Sequence, residues 1–158
     1  MKAMIFAAGL GTRLKPLTDT MPKALVPVCG QPLLYHVLTK LVKAGYDDVI
    51  VNVHHFPDQI IDYLCVHDFG ARITISDERD FLRETGGGIK HVRPLLDSFA
   101  SLGMTGEPFL VHNVDIISNL DLKWLREQHR EDAVATVVVS ERETQRYLLF
   151  DEDGRLKG

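Results

Sequence analysis

A glycine-rich segment directly after the first apolar run of the chain is suited to binding a phosphate. Its candidate binding residues are Ala8, Gly9, Gly11, Thr12 and Arg13. Glycines let the backbone turn sharply and present N–H groups to an anion, and the threonine and arginine side chains add a hydroxyl group and a two-pronged cation. The placement after a predicted strand is the one that phosphate sites need, and a plain turn from a strand into a loop is the alternative.

Two familiar glycine-rich motifs do not describe this segment. The dinucleotide-binding fingerprint needs a third glycine where Leu14 stands, and Pro16 prevents the segment from continuing as a helix. The Walker phosphate loop is absent as well. A nicotinamide-dependent oxidoreductase is therefore disfavoured.

A single lysine stands in a loop that prolines stiffen. Lys23 directly follows Pro22, and Pro27 lies four residues further on. A lysine in a rigid loop is a good point charge for a phosphate group. The alternative is a lysine that faces solvent without a specific role, which is the usual position of this residue type.

A second glycine-rich stretch is predicted as a loop that opens a helix running from Ile89 to Leu96. Its candidate binding residues are Thr85, Gly86 and Gly87. Small residues allow a flat base and a ribose to lie against the backbone, whose N–H and C=O groups can read the edge of the base. Taken by itself, such a stretch is more often an ordinary loop.

Asp115 follows the fourth predicted strand and is the candidate metal ligand. A carboxylate at the carboxyl end of a parallel strand faces the crevice where such sheets bind ligands, and its hard oxygen atoms suit Mg²⁺. An N-cap or turn role is the alternative. His112 is predicted to be structural, and the adjacent His54 and His55 are predicted to be polar loop residues because no other ligand stands at a metal-like spacing.

Predicted strands and helices alternate along the chain, since short apolar runs favour strands and a three-to-four-residue apolar spacing favours helices. The predicted strands are Met4 to Ala7, Val49 to Val53, Arg72 to Ser76, Pro108 to His112 and Val134 to Val139. The predicted helices run from Pro32 to a stop at Gly45, from Pro57 to Val66, from Ile89 to Leu96, and onward from an N-cap at Asn119.

This alternation predicts an α/β fold: a Rossmann-like, doubly wound, mostly parallel sheet with helices on both faces. A strand order of three-two-one-four would place strand one beside strand four, where the winding reverses. The segment from Gly9 to Arg13 and the carboxylate of Asp115 would then face one crevice.

Composition excludes several other classes of protein. The 158 residues are 45% hydrophobic, and the formal charge of −4 comes without any run of lysine or arginine, which disfavours nucleic acid and membrane surfaces as partners. No apolar run approaches the roughly 18 residues of a membrane span. Cys29 and Cys65 fit neither a disulfide framework nor a zinc site, so we expect reduced thiols and a cytoplasmic location.

The N-terminal residues together resemble a long family pattern. The residues that carry the resemblance are Gly9, Gly11, Thr12, Arg13, Pro16, Leu17, Thr18, Pro22, Lys23, Leu25, Pro27, Val28, Gly30 and Pro32. Over about thirty residues they are similar to the N-terminal motif of the sugar nucleotidyltransferases, the nucleoside-diphosphate-sugar pyrophosphorylases. The later stretch from Glu84 to Ile89 looks most like the N-acetylmuramate-1-phosphate uridylyltransferases and the mannose-1-phosphate guanylyltransferase-like members of that family.

The resemblance implies that a sugar-1-phosphate attacks a nucleoside triphosphate and that pyrophosphate leaves. It implies that Arg13 neutralises the leaving pyrophosphate, that Lys23 bridges the incoming and attacked phosphates, and that Asp115 is the first Mg²⁺ ligand. The base is expected near Thr85 to Gly87. The family usually has glycine where this chain has Val114, so the backbone before Asp115 is expected to differ from that of the family.

The resemblance covers nearly the whole chain, which would form residues 1–158 of a nucleotidyltransferase domain, namely its N-terminal nucleotide-binding part, truncated at the C-terminal end. The last residues, Tyr147 to Gly158, are predicted as a hairpin whose second arm is cut short. The sugar pocket and a second metal-binding aspartate are expected beyond it, so catalysis would need more than this chain.

Four questions stay open in the sequence. A non-catalytic nucleotide-binding regulatory domain of pyrophosphorylase type is the alternative, although the presence together of Gly11, Arg13, Lys23 and Asp115 speaks against it. UTP is favoured over GTP by the form of the second glycine stretch. The sugar and a possible homo-oligomeric state are left undetermined.

Overall fold

The computed structural model describes residues 1–97, 108–140, 143 and 148–157. The backbone forms two compact units, Met1–Lys123 and Trp124–Gly158. The strands are β1 (Lys2–Phe6), β2 (Pro27–Val28), β3 (Gln31–Pro32), β4 (Asp48–Val53), β5 (Arg72–Asp77) and β6 (Leu110–Asn113). The helices are α1 (Leu33–Lys43), α2 (Pro57–Val66), α3 (Glu84–Asp97) and α4 (Leu122–Glu127).

The main sheet has the order β5-β4-β1-β6, and all of its pairings are parallel. In the numbering of the predicted strands this is the order three-two-one-four, the arrangement that places strand one beside strand four. Met4 of β1 pairs with Ile50 on one side and with Val111 on the other. Because β1 has neighbours on both edges and helices over both faces, its central residues Ala3 to Ile5 are buried, which explains the continuous apolar run.

Helices cover both faces of the sheet, as predicted. On one face, α1 contributes Leu34, Leu38 and Leu41 to the larger core, and α2 adds Ile60. On the other face, Val92 of α3 packs with residues of β1 and β4. Burying each such aliphatic side chain contributes about 1.5–3 kcal/mol, so these contacts fix both helix layers against the sheet.

A two-stranded hairpin directly precedes α1, and the helix begins one residue later than predicted. The pair β2–β3 turns through Cys29 and Gly30, which both have positive φ. Pro32 belongs to β3 and is the N-cap of α1, so its predicted place inside the helix was wrong by one residue. Gly45, with φ of 90°, follows the helix as the predicted stop.

Two local predictions are corrected by the structure. The glycine stretch predicted as a loop lies within the first turn of α3, which begins at Glu84. The N-cap of α4 is Asp121 and not Asn119, because the Asp121 carboxylate accepts the backbone N–H of Lys123 at 2.8 Å. Asn119 stands three residues before the helix, too far back to cap it.

The predicted fifth strand is wrong within the described range 108–140. Residues 134–139 form no strand there, and the side chains of Val134 and Val137 to Val139 are exposed. Valine favours extended backbone, but a strand also requires a neighbour for its N–H and C=O groups. The run of valines was therefore insufficient by itself to predict a strand.

The predicted terminal hairpin is confirmed where the structure describes it. Phe150 bridges Leu156 in antiparallel fashion, and Gly154 turns the chain with φ of 74°. The predicted ends, Tyr147 and Gly158, lie outside the described residues.

As a separate finding, none of the helices that the structure describes has the length and apolar character needed to cross a bilayer.

Candidate functional site

The carboxyl ends of the parallel strands bring the candidate residues to one edge of the sheet. The glycine-rich segment, from here on called the phosphate loop (Ala8–Arg13), follows β1. Glu78 follows β5, and Asp115 follows β6. Because β1 and β6 are neighbours, the phosphate loop and Asp115 leave adjacent strands, as the predicted order required.

The start of the phosphate loop is buried and hydrogen-bonded to a side chain. The backbone N–H groups of Ala7 and Ala8 donate to Oδ1 of Asn52, at 2.8 Å and 3.3 Å. Ala8 was predicted to bind the nucleotide, and its N–H already has this partner. Among the residues that the structure describes, the N–H groups without a protein acceptor begin at Gly9.

Gly11 is required by the shape of the phosphate loop. Its φ of 66° lies in the left-handed region, and a Cβ there would meet Cγ2 of Thr18 at 2.7 Å and Cβ of Lys23 at 3.1 Å. The Gly11 carbonyl accepts the Thr18 hydroxyl at 2.8 Å and the Leu14 N–H at 2.8 Å. Any side chain at position 11 would therefore disturb both the turn and its contacts.

The segment after the phosphate loop is held by α2 and the residues before it. His55 lies 3.3 Å from the Thr18 carbonyl through Nε2, and Gln59 donates to the Thr20 carbonyl at 3.0 Å. His54, through Nδ1, lies 2.7 Å from the Glu78 carbonyl. Both histidines are thus polar residues that tie loops together, in agreement with the sequence prediction.

Thr12 and Arg13 are exposed at the end of the phosphate loop. Within the described part of the chain, neither side chain has a hydrogen-bond or ion-pair partner. The Arg13 guanidinium is therefore a cation available to an external anion. The structure does not join it to Lys23 or Asp115 by any contact between the described residues.

Lys23 and Asp115 are brought together although 92 residues separate them. Nζ of Lys23 donates to Oδ2 of Asp115 in a close ion pair, with the side chains 24% and 43% exposed. Lys23 begins a short 3₁₀ turn after Pro22, whose carbonyl accepts the Leu25 N–H at 2.9 Å. The rigid loop predicted for this lysine is thus present.

The backbone before Asp115 accommodates valine where the family pattern has glycine. Val114 donates its N–H to the Phe6 carbonyl at 3.1 Å and buries its side chain in the larger core. Nearby, His112 hydrogen-bonds through Nδ1 to the Asn113 carbonyl at 2.7 Å. Burial lowers the pKa of His112, which favours its neutral form and a structural role.

The second glycine stretch presents its small residues to solvent. Thr85, Gly86 and Gly87 are exposed in the first turn of α3. The next residue, Gly88, is buried, and a Cβ there would lie 3.0 Å from Phe6 and 3.3 Å from Nδ2 of Asn52. Close packing of α3 on the sheet therefore requires glycine at position 88.

Two polar residues of the site were missed by the sequence reasoning. Asn52 is 1% exposed and Glu78 is fully buried, and Nδ2 of the amide donates to Oε1 of the carboxylate at 3.2 Å. The other carboxylate oxygen, Oε2, has no hydrogen-bond partner among the described residues. A polar residue inside the apolar run from Val49 to Val53 was the signal that could have found Asn52.

Comparisons with known proteins place extended similarity over most of the chain. The family model described as "Nucleotidyl transferase" matches residues 2–155. An N-acetylmuramate alpha-1-phosphate uridylyltransferase of Caulobacter vibrioides is 46% identical over 119 residues, which cover 73% of this chain and 46% of that protein. A mannose-1-phosphate guanyltransferase 2 of Candida glabrata is 34% identical, over 89% of this chain and 37% of its own.

A solved structure shares the fold. The crystal structure of HddC from Yersinia pseudotuberculosis complexed with GMP-PN has a TM-score of 0.65 and 29% identity, and the match covers 80% of this chain and 52% of HddC. This chain thus spans less than half the length of the two curated relatives and about half of HddC.

Proposed function

The chain belongs to the nucleotidyl transferase family, and from that premise we propose that the complete protein joins a sugar-1-phosphate to a nucleoside triphosphate. The products are a nucleotide-sugar and pyrophosphate. The observation that carries the proposal is the ion pair of Lys23 with Asp115, at the edge of the sheet from which the phosphate loop also leaves. At this edge a cation and a hard carboxylate lie near backbone N–H groups that have no acceptor among the described residues, which suits a substrate with several phosphates.

The reaction needs alignment and charge neutralisation more than a covalent intermediate. A phosphate oxygen of the sugar-1-phosphate forms a bond to the α-phosphorus, and the bond from that phosphorus to the bridging oxygen of pyrophosphate breaks. Arg13, exposed at the end of the phosphate loop, neutralises the negative charge that leaves with pyrophosphate. Lys23 neutralises the incoming and attacked phosphates and holds them together.

Asp115 is the residue that would hold Mg²⁺ in this proposal. Its carboxylate is a hard oxygen ligand and is partly exposed. Groups of three or more His, Cys, Asp or Glu residues able to enclose a metal are absent from the described residues, so phosphate oxygens and water would complete the coordination. When bound, Mg²⁺ supplies further charge neutralisation at the phosphate oxygens.

We propose UTP as the preferred nucleotide, with GTP as the second candidate. In support, the uridylyltransferase of Caulobacter vibrioides is 46% identical and the guanyltransferase of Candida glabrata is 34% identical. The exposed residues Thr85 to Gly87 leave room for a base against the backbone of α3. The α-1-phosphates of N-acetylmuramate and mannose are the first sugar substrates to test.

The test is pyrophosphate release by the complete protein with each nucleoside triphosphate and each of these sugar phosphates. We expect turnover with one nucleotide, and we expect Lys23→Met to reduce it by about 100-fold or more. Lys15→Met is the matched control, because Lys15 lies in the same connection between β1 and β2 and, among the described residues, forms an ion pair only with exposed Asp19. Nucleotide binding without pyrophosphate release for any sugar phosphate would refute the transferase proposal and favour a non-catalytic nucleotide-binding domain.

A further inference from the structure

A buried amide stands beside the point where the chain leaves the sheet to form the phosphate loop. Asn52 lies near the end of β4, opposite Phe6 of β1. Its Oδ1 accepts the N–H groups of both Ala7 and Ala8. These two residues follow β1 directly. The Asn52 side chain therefore takes the place of a backbone acceptor at the point where the parallel pairing of β1 with β4 ends.

Glu78 sets the orientation of this amide. Its Oε1 accepts from Nδ2 of Asn52, which turns the amide oxygen towards the phosphate loop. The backbone of Glu78 is held on both sides, since its N–H donates to the Val53 carbonyl at 2.8 Å and its carbonyl contacts His54. Gly88 closes the cluster, because a Cβ at that position would lie 3.4 Å from Oε1 of Glu78.

We infer that Asn52 is a positioning residue for the phosphate loop and that Glu78 holds its amide in the required orientation. The inference deepens the proposed function and rests on it. With the N–H groups of Ala7 and Ala8 held by one oxygen atom, the backbone turns out of the sheet at a fixed point. The N–H groups from Gly9 onward are then presented to the phosphates of the nucleotide without a further ordering cost on binding.

The test exchanges the amide and the carboxylate. Asn52→Asp alone places a second carboxylate against that of Glu78, at the position where Nδ2 now donates. The double variant Asn52→Asp/Glu78→Gln keeps one amide, one carboxylate and the total charge of the wild type, with the two functional groups in exchanged positions. Its glutamine can donate to the new carboxylate, whose other oxygen still accepts from Ala7 and Ala8.

The measured quantity is the dissociation constant of the preferred nucleoside triphosphate for the folded complete protein. We expect Asn52→Asp to weaken binding roughly tenfold in the wild-type background and less than about threefold in the Glu78→Gln background. Both proteins of the second comparison carry Glu78→Gln, so any direct effect of Glu78 on the base of the nucleotide cancels. Ser76→Ala is the control, because the buried Ser76 hydroxyl belongs to the paired position on β5 and has no hydrogen-bond partner among the described residues.

Amide hydrogen exchange gives a second readout that does not depend on nucleotide. We expect Asn52→Leu to speed exchange at Ala7 and Ala8 at least about tenfold more than Ser76→Ala does. Equal exchange in the two variants, or unchanged nucleotide affinity in folded Asn52→Asp, would overturn the positioning role. Failure of the wild type to bind any nucleoside triphosphate would instead overturn the proposed function, and with it the role that rests on it.

Discussion

Substituting Gly11 tests whether the phosphate loop depends on the geometry seen at its turn. In Gly11→Ala the new Cβ would meet Cγ2 of Thr18 at 2.7 Å, in a backbone conformation with φ of 66°. The left-handed conformation costs alanine about 1–2 kcal/mol. Overpacking against Thr18 and Lys23 adds about 1–3 kcal/mol.

The clash can be removed separately from the backbone strain. Thr18→Ser deletes Cγ2, the atom met at 2.7 Å, and keeps the hydroxyl that donates to the Gly11 carbonyl at 2.8 Å. Losing this one methyl group costs about 1 kcal/mol by itself. In the double variant Gly11→Ala/Thr18→Ser, the shortest contact is relieved, while the 3.1 Å contact with Lys23 and the backbone strain remain.

The assay is urea denaturation of the wild type, the two single variants and the double variant. We expect Gly11→Ala to lower the free energy of unfolding by about 2–5 kcal/mol. The double variant should be at least about 1 kcal/mol more stable than the sum of the single effects predicts. Gly9→Ala is the control and should stay within about 1 kcal/mol of the wild type, because a Cβ at Gly9 has no neighbour within 4 Å in the described part of the chain. Additive single effects would refute the steric reasoning.

Three further measurements follow from the same structure. Asp115→Asn should reduce turnover by about 100-fold or more while the protein remains folded, as measured by pyrophosphate release, and full activity of that variant would contradict its assignment. Because burial lowers the pKa of His112, the unfolded chain binds the extra proton first as pH falls below about 6.5. The free energy of unfolding should therefore decrease from about pH 7 down to the folded pKa, and a pH series on His112→Gln should show a smaller decrease. In thermal denaturation, a nucleoside triphosphate at a hundred times its dissociation constant should stabilise the complete protein by about 2.7 kcal/mol, and the base that gives the shift identifies the nucleotide.

The strand order and the helix layers were predictable because their causes are periodic in sequence. The run from Met4 to Ala7 and the run from Val49 to Val53 both carry the continuous apolar pattern of strands buried on two faces. Alternation with helices then leaves few topologies that keep the crossovers right-handed. The neighbourhood of β1 and β6 follows from this order, and it explains why Lys23 and Asp115, predicted separately, are in contact.

The rest of the site depends on tertiary contacts that a local pattern does not carry. Glycine is among the poorest helix formers, so the stretch from Gly86 to Gly88 predicted a loop. The structure makes it helical where Gly88 packs closely on Phe6 and Asn52, and this packing overrides the local preference. The role of Asn52 was likewise hidden, because its partners are set by the pairing of β4 with β1 and by the chain reaching Glu78 after β5.

The phosphate loop is fixed at both ends and open in the middle, which is the arrangement that anion binding requires. Asn52 holds its start, and the Thr18 hydroxyl holds the Gly11 carbonyl near its end. Between these points, the N–H groups of Gly9 and Leu10 have no hydrogen-bond partner within the described residues. An N–H group left unpaired by its own protein favours an external acceptor, and a loop that is already ordered loses little entropy on binding one. A variant that removes the contact at either end should therefore reduce the free energy of nucleotide binding more than the free energy of unfolding. The sheet is stabilised by apolar packing, which these contacts do not provide.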